Sequence, residues 1–194
     1  MADNTSTAEP AVSTRSNLGW KLLSITRIAL GFYFLWAFLD KMFGLGRSVC
    51  SIKDDAGVIT GTDFFCDSAW INGGRVTEGY LVYGGNPTSP FHDFFVNLGG
   101  QAWTDVPFML GLLGVGLALM LGIGTKVGAW SAGAMLVFMY LTQMWPGTNP
   151  ILDEHLIYAV AIAAIVLVEL ERQDIGLGSW WRKLAIVKKN AWLV

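Results

Sequence analysis

The sequence predicts an all-α membrane protein, a bundle of four transmembrane helices with a long extracytoplasmic loop between the first and second helices. Three observations support this prediction. Hydrophobic residues make up 53% of the chain and charged residues 14%, a balance that a soluble domain rarely has. Glycine and tryptophan are both abundant. Four stretches are apolar over about the 20 residues that a membrane helix needs, so we expect the chain to lie in a lipid bilayer.

The predicted spans are residues 18–43, 107–123, 127–145 and 151–170, which together form a membrane domain over residues 18–170. The polar segment before them, residues 1–17, lacks the apolar core of a cleavable signal peptide, so it is predicted to be a disordered tail. Lysine and arginine concentrate on the side of the two termini, and the positive-inside rule places both termini in the cytoplasm. A net charge of −2 does not favour a nucleic-acid partner.

The long outer loop, residues 44–106, is predicted to fold as a cap. It combines turn-forming glycines and prolines with many aromatic residues, from which a flexible linker would gain little. Within this loop, the stretch FHDFFVNL indicates a short helix at the membrane interface. The last segment, residues 171–194, mixes tryptophans with lysines and arginines. It is predicted to be a basic amphipathic segment on the anionic inner leaflet.

Small residues recur every four positions on two of the predicted spans. Gly114, Ala118 and Gly122 follow this spacing on the second span, and Ala129 and Gly133 follow it on the third. Small side chains allow the backbones of neighbouring helices to approach closely. We therefore expect helix contacts along both faces.

The two cysteines of the chain, Cys50 and Cys66, both fall in the outer loop, where oxidising conditions favour a disulfide. Closing this short loop would stabilise the cap by about 2–4 kcal/mol. The alternative is a redox-active pair that passes electrons to a membrane carrier, although the C-x-x-C spacing that lowers a thiol pKa is missing. No second cysteine or histidine lies at ligand spacing from either cysteine, so no metal site is predicted.

Arg27 lies inside the first apolar span, where a cation needs a partner or a wet cavity. Arg27 and Lys41 are fourteen residues apart on one helix face, and His155 and Glu169 have the same spacing on the fourth span. Because these two spans run in opposite directions, packing brings Arg27 level with Glu169 and Lys41 level with His155. The sequence therefore predicts an intramembrane charge pair between Arg27 and Glu169.

A polar cluster of Lys41, Asp153, His155 and Tyr158 is predicted at the outer end of the bundle. The residues expected nearby are Asp40, Tyr140, Gln143 and Glu154. One interpretation is structural, with Asp153 capping the fourth helix. The other is a catalytic or ligand site, in which the cluster binds a polar ligand or a quinone head group. Lys41 would hold an anion, His155 would exchange protons near neutral pH, and Tyr140 or Tyr158 would donate a hydrogen bond. The second interpretation is preferred because ionisable residues at membrane depth often serve a function.

Residues 24–170 resemble the DoxX/DoxD-like family of integral membrane proteins. The stretches that carry the resemblance are, in order, RIALGFYFLWAFLDKMFGLG, WINGG with a downstream EGYL, GLLGVGLALMLGIGTKVGAWSAGAMLVFMYL, and NPILDEHLIYAVAIAAIVL. Shared features include the R-x3-G pattern of Arg27 and Gly31, Lys41 at the end of the first span, and the D-x-H motif that begins at Asp153. The resemblance implies a four-helix, multi-pass protein of the prokaryotic plasma membrane.

DoxD-type members belong to thiosulfate:quinone oxidoreductase, which oxidises thiosulfate to tetrathionate and passes the electrons to quinone. The resemblance therefore implies the membrane subunit of a quinone-linked oxidoreductase, with a non-covalently bound quinone and a partner protein subunit. Other DoxX members are associated with oxidative-stress complexes that contain a sulfurtransferase and a superoxide dismutase. A non-catalytic membrane scaffold that docks partner enzymes is therefore the alternative function.

The sequence carries no flavin, haem or iron–sulfur motif, so electron transfer would need a quinone, the cysteine pair or a partner protein. A solute transporter is less favoured, because the predicted spans lack the interrupted helices typical of transporters. The sequence leaves open whether the chain forms a homo-oligomer.

Overall fold

A computed structural model describes residues 9–147, 149 and 151–194. Helices account for 61% of the chain and strands for 4%, which confirms the predicted helical class. The four long helices are α1 (Glu9–Phe43), α4 (Ala102–Leu121), α5 (Thr125–Thr142) and α6 (Glu154–Glu169). Between α1 and α4 lie β1 (Ser51–Lys53), β2 (Ile59–Thr62), a 3-10 turn (Trp70–Asn72), α2 (Glu78–Leu81) and α3 (His92–Leu98). After α6 come α7 (Gly178–Trp181), α8 (Ala185–Lys189) and a second 3-10 turn (Ala191–Leu193).

The prediction of a disordered tail over residues 1–17 is wrong for its described part. Helix α1 begins at Glu9, so residues 9–17 continue the first helix, and residues 1–8 lie outside the described part of the chain. Pro10 lies in the first turn of α1, where a proline is well tolerated because the amide it lacks would have no helical partner. Once a helix is anchored by packing further along, adding residues to its end costs little.

Helices α1 and α4 form an antiparallel pair that approaches closely at two glycines. A Cβ atom at Gly31 would lie 2.7 Å from the backbone nitrogen of Met120, and one at Gly116 would lie 2.8 Å from that of Leu35. Helix α5 packs against α4 and α6, and α6 also contacts α1. The four helices enclose a core that includes Phe34, Met109, Leu119 and Ile162.

The small-residue faces are in part different from those predicted. Ala118 does contact α5, since a Cβ atom at Gly128 would lie 2.9 Å from the Ala118 Cβ. In contrast, a Cβ atom at Gly114 or Gly133 would meet nothing within 4 Å, so the prediction is wrong for these two glycines. The face of α4 that includes Leu112 is the buried one. Gly116 lies on this face, so it is Gly116, and not Gly114, that contacts α1.

Two helical stretches are long and apolar enough to cross a membrane by length and composition, Asn17–Phe43 and Ala102–Leu121. Helix α5 has 18 residues and α6 has 16. All four long helices turn large apolar side chains outward, including Trp130 on α5 and Val160 on α6, which are 82% and 71% exposed. Water-soluble monomers rarely expose apolar surface on this scale.

Residues 44–101, called the cap below, leave α1 through a turn that Asp40 fixes. The buried Asp40 carboxylate accepts hydrogen bonds from the Arg47 amide at 3.0 Å, from the Ser48 amide at 2.7 Å and from the Ser48 hydroxyl. Strands β1 and β2 then form an antiparallel hairpin. The predicted disulfide is confirmed: Cys50 and Cys66 are bonded across this hairpin, with their Cα atoms 5.7 Å apart.

The C-terminal segment forms short helical turns rather than one amphipathic helix. These turns are held against the start of α5. The Lys126 amide donates to the Val194 carbonyl at 2.9 Å, and its side-chain Nζ donates to the Ala191 carbonyl at 3.0 Å. The Trp181 indole donates to the Leu193 carbonyl at 2.6 Å. Backbone carbonyls of the segment are thus satisfied by α5 and by α7.

Candidate functional site

Arg27 is buried at the end of the bundle that carries both termini. Its Nε donates to Glu169 Oε2, so the two side chains are in direct contact. The other guanidinium nitrogens donate to the carbonyls of Leu119 and Ile175. Ser24 Oγ donates to the second carboxylate oxygen of Glu169 at 2.5 Å. Both ions therefore have several hydrogen-bond partners, as buried ions require.

The level of Arg27 in the bundle explains why a cation is tolerated there. Helix α4 ends at Leu121 and α6 ends at Glu169, while α1 extends well beyond this level. Arg27 therefore lies beside two helix C-termini, where the partial negative charge of the last carbonyls stabilises a cation. Its contacts join α1, α4, α6 and the chain after α6, which is a structural role.

At the opposite end, Asp153 and His155 meet at the start of α6. Asp153 Oδ1 accepts from the Leu156 amide at 3.1 Å, and Oδ2 lies 2.6 Å from His155 Nδ1. Ligand atoms of Asp153, Glu154 and His155 all lie within 4.8 Å of one another. Because both Asp153 oxygens are already engaged, this group has the geometry of a helix N-cap.

The structure does not bring Lys41 to this helix cap. Lys41 Nζ donates to Ser48 Oγ on the cap at 3.2 Å, and no hydrogen bond or ion pair among the described residues links Lys41 to Asp153 or His155. Tyr158 packs its ring 6.2 Å from the ring of Tyr33. The predicted cluster is therefore divided into separate groups, because the turn at Asp40 directs Lys41 toward the cap.

Lys41 instead lines a cavity of about 440 Å³ between the end of α1 and the cap, called the basin below. Arg75 adds a second cation to its wall, and Cys50 of the disulfide also lines it. Other polar lining residues are Ser48, Ser68, Glu78, Tyr80 and Tyr83. Two cations and several hydroxyls against one carboxylate favour the binding of a small anion.

A second cavity, of about 320 Å³, lies between the cap and helices α4 and α5 and is called the groove below. Its wall is almost entirely apolar, and three of its lining residues carry a hydroxyl group, Thr77, Tyr80 and Thr104. The aromatic lining residues are Tyr80, Phe94, Phe95, Trp103, Phe108 and Phe138. Phe94 and Trp103 are more than half exposed, so the groove opens to the surface. An aromatic wall suits a flat apolar ligand.

Tyr80 of α2 lines both the basin and the groove. Its hydroxyl donates to the Met139 carbonyl of α5 at 3.2 Å, which ties the cap to the bundle. Burial raises the pKa of Tyr80 to about 12, and the negative charges of Asp153 and Glu154 add to this effect. The phenol is therefore neutral at physiological pH. The carboxylates at the start of α6 help to keep it neutral, because they raise its pKa.

Asp105, in the first turn of α4, holds the cap beside the groove. Its Oδ1 accepts from the Thr77 amide at 2.9 Å and from the Thr77 hydroxyl at 2.6 Å. Its buried Oδ2 has no hydrogen-bond partner among the described residues and lies 3.8 Å from Arg75 Nη1. The sequence pattern did not single out Asp105, Arg75 or Tyr80 as site residues. An acidic residue in the first turn of a helix was the one signal for Asp105.

Comparison of the chain with protein-family models, with curated proteins and with solved structures finds no match. The functional proposal therefore rests on the geometry of the basin and the groove.

Proposed function

We propose that the chain is a four-span membrane subunit of a quinone-linked redox system. In this proposal the groove binds the quinone ring and the basin binds a small anionic reductant such as thiosulfate. The resemblance of residues 24–170 to DoxX/DoxD-like proteins supports the same function. The quinone is a substrate that exchanges with the bilayer, and a partner protein subunit completes the system.

The four-span arrangement is supported by the apolar outer surface of the bundle. Helices α5 and α6 are shorter than α1 and α4, but both expose large apolar side chains that lipid would cover. The basic residues near the two termini support a cytoplasmic position for both termini in a prokaryotic cell. The basin and the groove then lie toward the outer face of the plasma membrane.

The observation that carries the proposal is the position of Tyr80 between a cationic basin and an aromatic groove. A reductant in the basin and a quinone in the groove would each contact this side chain. Lys41 and Arg75 attract the anion, while the aromatic rings of the groove pack on the quinone. The hydroxyls of Tyr80, Thr77 and Thr104 already donate to the Met139 carbonyl, the Asp105 carboxylate and the Leu98 carbonyl. Their oxygens can therefore accept hydrogen bonds from the hydroxyls of the product quinol.

The proposed reaction balances without a further cofactor. Two thiosulfate ions each give up one electron and join sulfur to sulfur as tetrathionate, and the quinone takes both electrons together with two protons to become quinol. In this proposal the two protons come from the outer solvent.

The test is quinone reduction driven by thiosulfate in membranes that contain the chain. Leu98→Trp narrows the groove, and we expect it to lower turnover about tenfold or more. Its matched control is Val160→Trp, which adds the same side chain at an exposed position of α6.

The basin is tested in the same assay. Lys41→Gln removes a basin cation and is also expected to lower turnover about tenfold. Its control is Lys53→Gln on β1, outside the basin. Equal turnover in all four variants would contradict the proposal.

A second candidate function, a scaffold that docks a partner enzyme, is favoured by one observation. The cap exposes several apolar side chains, including Phe64, Phe65 and Ile71, each more than half exposed. Exposed apolar groups on a small domain often mark a contact surface. Copurification of one defined partner, lost in Phe64→Ser and Phe65→Ser while thiosulfate drives no turnover, would establish the scaffold function instead.

A further inference from the structure

The disulfide is placed asymmetrically with respect to the basin. Of its two cysteines, both in the described part of the chain, Cys50 lines the basin and Cys66 lies outside its lining. Cys50 shares the basin wall with Lys41 and Arg75. A sulfur anion held by these two cations would therefore lie on the Cys50 side of the bond.

We propose that the Cys50–Cys66 disulfide is a reaction site at which a sulfur anion from the basin attacks the Cys50 sulfur. This inference rests on the proposed function and adds that the electrons pass from the sulfur anion to the quinone through the disulfide. The attack forms a bond between the incoming sulfur and Cys50 Sγ and breaks the bond between Cys50 and Cys66. Cys66 leaves as a thiolate with both bonding electrons.

The rest of the cycle follows from ordinary thiol–disulfide exchange. A second sulfur anion attacks the sulfur that is bonded to Cys50, which releases the oxidised, sulfur-linked dimer and leaves Cys50 as a thiolate. The two thiolates then close to the disulfide and pass two electrons, with two protons from solvent, to the quinone in the groove. The net change is two sulfur anions oxidised to one dimer and one quinone reduced to quinol.

A purely structural disulfide makes different predictions. It would stabilise the cap, and its loss would lower the amount of folded protein without changing turnover per folded molecule. The disulfide packs directly against Gly44, where a Cβ atom would collide with the Cys50 sulfur. Turnover per folded molecule therefore separates a reaction site from a structural bridge.

The test uses the full chain in lipid nanodiscs, incubated with thiosulfate and then with a maleimide that blocks released thiols. Peptide mapping is expected to find the thiosulfate adduct on Cys50 and the maleimide on Cys66. Lys41→Gln is expected to slow formation of the adduct about tenfold, whereas Lys53→Gln leaves it unchanged. An adduct found on Cys66, or no adduct on either cysteine, would overturn the proposal.

A second measurement separates this inference from the proposed function. Quinone reduction per folded molecule is expected to be lost in both Cys50→Ser and Cys66→Ser, and circular dichroism reports whether each variant is folded. Turnover that persists in folded Cys50→Ser overturns the disulfide route but leaves the quinone-linked function standing. Adduct formation at Cys50 without quinone reduction supports the reaction site and contradicts the proposed function.

Discussion

Arg27 on α1 and Glu169 at the end of α6 form a buried ion pair, with side chains that are 1% and 3% exposed. Glu169→Ala leaves the Arg27 cation buried without its carboxylate, so we expect the free energy of unfolding to fall by about 3–5 kcal/mol. Equilibrium unfolding in mixed micelles measures this change. The control is Asp174→Asn, which breaks the more exposed pair with Arg172 and is expected to cost about 1 kcal/mol or less. Equal losses in the two variants would show that the buried pair has no special structural role.

The contact between α1 and α4 depends on Gly116. A methyl group added there would lie against the Leu35 backbone, so Gly116→Ala is expected to force the helices apart and cost about 1–3 kcal/mol. Gly114→Ala is the matched control, because open space surrounds Gly114 and alanine favours the helix. Thermal unfolding of both variants in detergent tests the difference. A Gly114→Ala variant that is the less stable of the two would refute this account of the contact.

Tyr80 predicts a specific loss of stability at alkaline pH. Folding raises its pKa from 10.0 to about 12, so between these values the unfolded chain loses the phenolic proton while the folded chain keeps it. The contribution of Tyr80 to the free energy of unfolding is therefore complete below about pH 10 and falls as the pH rises toward 12. Tyr80→Phe is expected to flatten this decline, measured by unfolding across the alkaline range.

The control for this pH effect is Tyr83→Phe, which changes a tyrosine of the same cap that is 76% exposed. Burial of Tyr80 is the expected cause of the decline and Tyr83 is not buried, so this variant should retain the alkaline decline of the unmodified protein. If both variants flatten the decline equally, burial of Tyr80 is not its cause.

Asp105 is predicted to anchor the cap to α4. Asp105→Ala leaves the Thr77 amide and hydroxyl without their acceptor, which is expected to cost about 1–3 kcal/mol in the free energy of cap docking. Limited proteolysis should then cleave the cap faster, while the exposed control Asp55→Ala leaves the cleavage rate unchanged. Unaltered protection in Asp105→Ala would mean that other contacts hold the cap.

The contact between Arg27 and Glu169 was predictable because it depends on regular geometry. Both residues lie on long apolar helices, and antiparallel packing of two spans sets which positions meet. The disulfide was predictable because the loop contains both cysteines of the chain and was expected on the oxidising side of the membrane. These features need no knowledge of how the cap folds.

The basin and the groove could not be predicted, because they depend on irregular structure. Lys41 was expected to face His155, but three hydrogen bonds to Asp40 turn the chain after α1 and direct Lys41 to the cap. Tyr80 lies on a helix of four residues, too short to show periodicity. Its place between two cavities follows from the docking of Thr77 on Asp105, a contact between residues far apart in sequence.

The central claim, that the groove binds a quinone, is tested most directly by photolabelling. The full chain in lipid nanodiscs would be illuminated with a photoreactive quinone, and the labelled peptides identified by mass spectrometry. The account predicts labels on α3 and α5 at the groove, among them Phe94 and Phe138, that disappear when excess unlabelled quinone is added or when Leu98 is replaced by Trp. Labels spread evenly over the lipid-facing surface, including Val160, and unaffected by unlabelled quinone would contradict it.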